Sequence, residues 1–147
     1  ETMERITPIE ATTMREATPQ LQEFLDSEIG QLFSERLRTN HVYRELPFTY
    51  KIGASRFRKD WTGPVDDAVM QGIVDCLIQD GESYILLDYK SDQIVTTEVG
   101  QTPADVLRER YATQLNLYQE ALEAILHIRI SRKVIYAFAL GETIDLV

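Results

Sequence analysis

Asp75, Asp88 and Lys90 stand in two apolar runs, 68–79 and 83–90. A charge in such a run is costly unless a partner or a metal ion holds it. Asp88 and Lys90 are two apart, which in a strand puts both on one face. Asp80-Gly81 between the runs is a hairpin signal. If the loop is Asp80-Gly81, position 75 lies opposite 86 and is the diagonal neighbour of Asp88, roughly 7–8 Å away. If the loop spans 80–83, position 75 lies opposite Asp88 itself. Either even-length loop gathers Asp75, Asp88 and Lys90 on one face.

Two carboxylates that close raise one another's pKa unless a cation sits between them. Hard oxygen donors suit Mg²⁺ or Mn²⁺, and the backbone carbonyl of Tyr89 offers a third ligand. Lys90 then stands where it could orient or deprotonate a water, or stabilise charge on a phosphorane-like transition state. The chemistry is metal-assisted hydrolysis of a phosphate ester. The competing reading is a buried Asp–Lys ion pair that only organises the core.

These residues need a sheet and helices to place them. The first forty residues read as helical, with Thr7-Pro8 and Thr18-Pro19 as cap and first-turn pairs. Leu21, Phe24, Leu25, Ile29, Leu32, Phe33 and Leu37 recur at three and four residues and predict one apolar face, with a break near Ser27 or Gly30 and an end at Asn40. Residues 42–50 are rich in strand formers, and Pro47 predicts an edge position or a bulge. Residues 53–67 read as a loop or arm, where Arg56, Arg58, Lys59 and Trp61 are candidate DNA contacts. The two apolar runs predict central strands covered on both faces. Thr102-Pro103 opens the longest helix, with Asp105 in its first turn and a buried stripe at Leu107, Tyr111, Leu115, Tyr118, Leu122 and Ile125. Arg108 and Arg110 on it are further DNA candidates. A last strand is expected over 133–140. The order predicts an α/β layer domain with a mixed sheet.

The chain has 147 residues, 44% of them hydrophobic, which suits one domain with its own core. Fifteen Lys and Arg against twenty-four Asp and Glu give a net charge of −9, which excludes gripping nucleic acid by bulk charge. A local metal site reverses the field where it matters. The single cysteine, Cys76, excludes an internal disulfide and a cysteine-built zinc or iron–sulfur site, and the expected compartment is the cytoplasm. Cys76 is expected to face away from Asp75 as a small buried hydrophobe. No apolar run approaches a membrane span, and no Walker A loop is present.

Gln71-Gly72-Ile73-Val74-Asp75, Leu86-Leu87-Asp88-Tyr89-Lys90-Ser91-Asp92 and Gln114-Leu115-Asn116-Leu117-Tyr118 together resemble the PD-(D/E)XK nuclease superfamily. Within it they look like the RecB-like branch, marked by an Asp, an Asp-x-Lys and a Gln-x-x-x-Tyr helix. Arg44-Glu45-Leu46-Pro47-Phe48 fits the same branch. The likeness runs from about Leu21 to Phe138 and is nearest to the C-terminal nuclease domains of AddA (RexA) type.

That resemblance implies a restriction-endonuclease-like fold, a central mixed β-sheet flanked by helices. It implies Asp75 and Asp88 as ligands of Mg²⁺ or Mn²⁺ together with Tyr89, and Lys90 as the catalytic lysine. Gln114 and Tyr118, four apart, share a helix face and would approach the site or the DNA backbone together; Tyr118 has core packing as its other reading. Glu45 would support the lysine or the metal, or be a solvated strand glutamate. The resemblance further implies an exonuclease acting on the 3′-ended strand of single-stranded DNA, fed by the ATP-dependent helicase of the same, longer chain. It implies a complex with an AddB-type partner, a response to Chi sequences and a role in double-strand break repair. The chain departs from the family in one place: a metal-binding histidine is expected on an upstream helix, and neither His41, at a helix-to-strand junction, nor His127, at a helix C-terminus, fits. A non-catalytic module that has kept the fold and a standalone nuclease are the alternatives.

Overall fold

The computed structural model of the chain describes residues 19–52, 68–95 and 98–146. Thr7-Pro8, Thr18 and the cations and Trp61 of 53–67 lie outside the described residues.

Residues 19–26 are helical (α1) and are followed at Ser27 by a bend into α2, Glu28–Arg38. Ser27 makes the bend by capping in both directions: its Oγ accepts from the Gly30 N–H at 3.1 Å and donates to the Phe24 carbonyl. Gly30 is required here, because a Cβ at that position would lie 1.8 Å from the Phe24 oxygen.

Five strands follow: β1 Val42–Ile52, β2 Ala68–Asp80, β3 Ser83–Lys90, β4 Ile130–Ala137 and β5 Glu142–Leu146. The long helix α3, Pro103–Leu126, connects β3 to β4. The sheet order is β1-β2-β3-β4-β5. β3 and β4 are parallel and every other neighbouring pair is antiparallel, so the sheet is mixed, as expected. A parallel pair needs a long crossover, and α3 supplies it. Its start is a capping box: Thr102 Oγ1 accepts from Asp105 N–H, and the Asp105 carboxylate accepts from Thr102 N–H. Its end is His127, whose left-handed backbone (φ 54°) stops the helix.

The sheet is buried on two faces. On one, Val74, Leu77, Leu86 and Ile135 pack under Leu107, Leu115 and Leu122 of α3. On the other, Cys76, Ile78, Leu87 and Val134 pack under Phe24, Ile29 and Phe33 of α1 and α2. Cys76 thus lies on the face away from α3, fully buried, and burial pushes its thiol up to about 12.

Some expectations need correction. The hairpin turn is Gly81-Glu82, closed by the pair Asp80–Ser83, with Gly81 at φ 65°. Gln79 therefore pairs with Tyr84, which is the register expected for a loop spanning 80–83. Ile125 is 40% exposed, because the end of α3 overhangs the sheet. Val69 and Ile73 of β2 are more than half exposed, so β2 is covered on both faces only beyond Val74. The last expected strand runs three residues early, Ile130–Ala137, and β5 is an addition to the expected elements. β1 is an edge strand, where Pro47 costs no ladder bond. No helix among the described residues is long and apolar enough to cross a membrane.

Candidate active site

β2 and β3 pair as far as Cys76–Leu87 and then part. β1 and β2 show a matching irregularity: Arg44 pairs with Cys76 and Leu46 with Val74, while Glu45 and Asp75 between them make no pair. Glu45 takes a left-handed backbone (φ 52°), a strained state for a residue with a Cβ. Alternation is broken at this point: Val74 and Leu77, three apart, share the face under α3. The break lets the Asp75 carboxylate turn into the seam between β2 and β3. There its Oδ2 accepts the backbone N–H of Tyr89 at 2.9 Å.

Asp88 comes to the same seam from β3. It is 6% exposed, the one charged side chain in the core of the described residues. Burial, first, and the facing Asp75 carboxyl, second, push its pKa up to about 6, against the pull of Lys90. Lys90 Nζ lies 2.8 Å from Asp88 Oδ2. The ammonium approaches off the line of a hydrogen bond, so that buried oxygen has an ion-pair partner and no hydrogen-bond partner. For Lys90, burial pulls the pKa down and Asp88 outweighs it, leaving the net direction upward.

The α3 side is closed by the helix motif. Lys90 Nζ donates to Gln114 Oε1 at 3.4 Å, and Gln114 Nε2 donates to the Tyr118 hydroxyl at 3.3 Å. The Tyr118 ring meets Phe48 edge-on, with centroids 5.0 Å apart. Both readings of Tyr118 therefore hold at once: its ring is core, and its hydroxyl belongs to the polar chain. On the α2 side, Asp75 lines an open cavity of about 640 Å³ with Phe33, Val42, Arg44, Glu45 and Tyr89.

The structure thus brings Asp75, Asp88, Lys90, Gln114 and Tyr118 into one connected group, with the Tyr89 backbone bonded to it and Glu45 at the cavity rim. Tyr89 turns its ring to the opposite core, 5.6 Å from Phe24 by centroids. Asp75 and Asp88 could hold a divalent cation between them, and the buried Asp88 oxygen without a hydrogen bond fits that use. Among the described residues no group of three or more His, Cys, Asp and Glu side chains gathers to hold a metal. His41 bonds Thr39 at 2.8 Å and His127 ends α3, so neither joins the site.

Comparison with known families points to the same strands. A family model described as the PD-(D/E)XK nuclease superfamily matches residues 2–140. The chain belongs to the PD-(D/E)XK nuclease superfamily. Relatives of this nuclease domain are named as A-type subunits of an ATP-dependent helicase/nuclease. The protein so named from Exiguobacterium sibiricum is 70% identical over 146 residues, 99% of this chain and 12% of its own length. Those from Lysinibacillus sphaericus and Bacillus cereus are 39% and 35% identical, over 83% and 78% of this chain and 9% of theirs. The chain thus spans about a tenth of the curated relatives it matches. The mixed five-stranded sheet flanked by helices agrees with the restriction-endonuclease-like fold of this superfamily.

Sequence reasoning misses two members of the site. Tyr111 reads as part of the core stripe, yet its ring lies under Lys90, Nζ 4.1 Å from the centroid. Asp92 has no role in that reading and accepts from Tyr111 at 2.6 Å and from Arg110 at 2.7 Å. The available signal is spacing: Tyr111 is one turn before Gln114, and Asp92 is two beyond Lys90. Arg110 is therefore near the site. Arg108 turns instead to Asp105 and to the Asp145 carbonyl.

Proposed function

We propose that this chain is a metal-dependent nuclease domain, one folded unit of a longer helicase/nuclease chain near its C-terminus. It hydrolyses phosphodiester bonds of single-stranded DNA, acting on the 3′-ended strand delivered by the helicase. The observation that carries this reading is the meeting of Asp75 and Asp88 at an open cavity with Lys90 paired to Asp88.

Asp75, Asp88 and the Tyr89 carbonyl are the residues assigned to hold the cation, Mg²⁺ or Mn²⁺. When bound, it supplies charge neutralisation at the phosphate and acidifies water. Tyr89 N–H fixes Asp75 through the backbone, so that carboxylate is oriented in advance. Lys90, held at Asp88 and Gln114, presents an ammonium to a phosphate oxygen or to the attacking water. The net charge of −9 suits a module to which DNA is fed by a larger machine. The names of the relatives support a role beside a helicase, and we place the domain with an AddB-type partner in cytoplasmic double-strand break repair.

The second reading, a non-catalytic module, is favoured by one observation: no third acidic, His or Cys ligand joins the pair among the described residues. One assay separates them. Single-stranded DNA is incubated with Mg²⁺ or Mn²⁺ and this chain, a longer chain with the preceding helix, and Asp88→Ala in each. The nuclease reading expects the longer chain to cut and its Asp88→Ala variant to lose at least about a hundredfold. Equal cutting by that variant would eliminate the site assignment, and no cutting by any chain would favour the module.

A further inference from the structure

The Lys90 ammonium has three neighbours of different kinds. Asp88 Oδ2 lies at 2.8 Å and Gln114 Oε1 at 3.4 Å. The third is the face of the Tyr111 ring, 4.1 Å from Nζ to centroid. An ammonium over an aromatic face is attracted by the ring's quadrupole, more strongly where water is excluded. Lys90 is mostly buried, so this attraction is not diluted as it is at an open surface.

The ring itself is held at its far end. The Tyr111 hydroxyl donates to Asp92 Oδ2 at 2.6 Å, and Arg110 reaches the same oxygen at 2.7 Å. The Tyr111 hydrogen bond holds the Asp92 carboxyl below the usual carboxylate range, burial opposes it, and Arg110 adds to the lowering. Asp92 follows β3 by two residues, so α3 and the end of β3 are pinned together beside the lysine. A flexible four-carbon stem with a point charge needs such an enclosure if its charge is to stay in one place.

We propose that Tyr111 is the positioning residue of Lys90: its ring holds the ammonium against Asp88 and Gln114, and Asp92 with Arg110 holds the ring. The catalytic consequence rests on the nuclease reading above; the placement does not. Tyr111 touches no reacting atom in this scheme and acts through the lysine alone.

The test is nuclear magnetic resonance of the Lys90 ε-methylene protons, assigned by their loss in Lys90→Met. A ring over the ammonium moves these protons upfield of ordinary lysine positions. The proposal expects that shift in the unsubstituted chain, its retention in Tyr111→Phe, which keeps the ring, and its loss in Tyr111→Leu. Ordinary positions in the unsubstituted chain, or an unchanged upfield shift in Tyr111→Leu, overturn it. If Tyr111→Leu fails to fold, the unsubstituted and Phe chains still decide, since an ordinary position in either overturns it.

The second arm is single-stranded DNA cleavage by the chain that cuts. Tyr111→Leu is expected to lower kcat about fivefold to tenfold with KM within about twofold, and Tyr111→Phe to stay near the unsubstituted kcat. An unchanged kcat in Tyr111→Leu overturns the proposal. Absence of cutting in every chain, the unsubstituted one included, fails the nuclease reading instead, and the resonance arm then decides the placement by itself.

Discussion

Asp75 Oδ2 lies 2.9 Å from the backbone nitrogen of Tyr89, so a side chain of β2 accepts a β3 hydrogen bond beyond the last paired residues. The seam is held open by the acid that is to work in it. Asp75→Ala would leave the Tyr89 N–H without its partner and should cost about 1–3 kcal/mol. Asp75→Asn, which keeps an acceptor oxygen, should cost less while removing the charge. Urea unfolding of both variants checks the order; equal losses would mean that the bond contributes nothing.

Stability should fall as pH rises through the range in which Asp88 ionises. Its pKa is 3.8 in the unfolded reference and about 6 when folded, so the folded chain holds the extra proton between those values. The sign is therefore destabilising with rising pH, from full stability below about 4 to a loss of about 3 kcal/mol above about 6. Asp92, Asp105 and Asp145 are shifted downward and act at lower pH with the opposite sign. Subtracting the Asp88→Asn curve isolates the Asp88 part. Parallel curves for the two chains between pH about 4 and 6 would contradict the raised value.

A divalent cation should relieve that cost. Binding to the folded state alone raises Tm by mass action, and the gain requires ionised carboxylates. Mg²⁺ and Ca²⁺ are expected to raise Tm at pH about 7, to do so much less at pH about 5, and to do nothing in Asp88→Asn. Ca²⁺ should bind without supporting cleavage. A Tm increase that survives in Asp88→Asn would place the ion elsewhere.

Gly72 is where the helix motif meets the sheet. A Cβ there would lie 2.7 Å from the Phe48 ring and 3.0 Å from the Tyr118 hydroxyl. The Phe48 ring is already packed edge-on against Tyr118 and cannot simply swing away. Gly72→Ala should therefore cost about 1–3 kcal/mol by overpacking. Because the strain falls on Tyr118, it should also weaken the Gln114–Tyr118 link and lower cleavage more than an equally destabilising change in the opposite core. Ile78→Val is the comparison; equal effects on cleavage at matched Tm would sever Gly72 from the site.

Much of this is readable in the sequence because the signals are local. Thr102-Pro103 with Asp105 is a capping box in sequence and in space, Ser27 breaks the first helix, and Asp80-Gly81 announces the hairpin. Asp88 and Lys90 follow from strand period alone. What escapes depends on distant partners. The change of face at Glu45 and Asp75 leaves no mark in the order of apolar residues, since it is a backbone event on two strands at once. β5 has only five residues and one buried side chain, Ile144, too little for a periodic signal. Tyr111 fits an apolar stripe equally well whether it fills the core or carries a lysine; only the arrival of Asp92 decides between them.

The crossover between β3 and β4 also dictates the order of assembly. β2 and β3 are joined by a two-residue turn and can zip together early, whereas β4 must wait until residues 91–129 have coiled and docked. Lys90 belongs to the early piece and Gln114 with Tyr111 to the late one. A newly made chain thus holds its two acids in a half-built sheet before anything restrains the lysine, and acquires a working geometry only in the last step of its maturation.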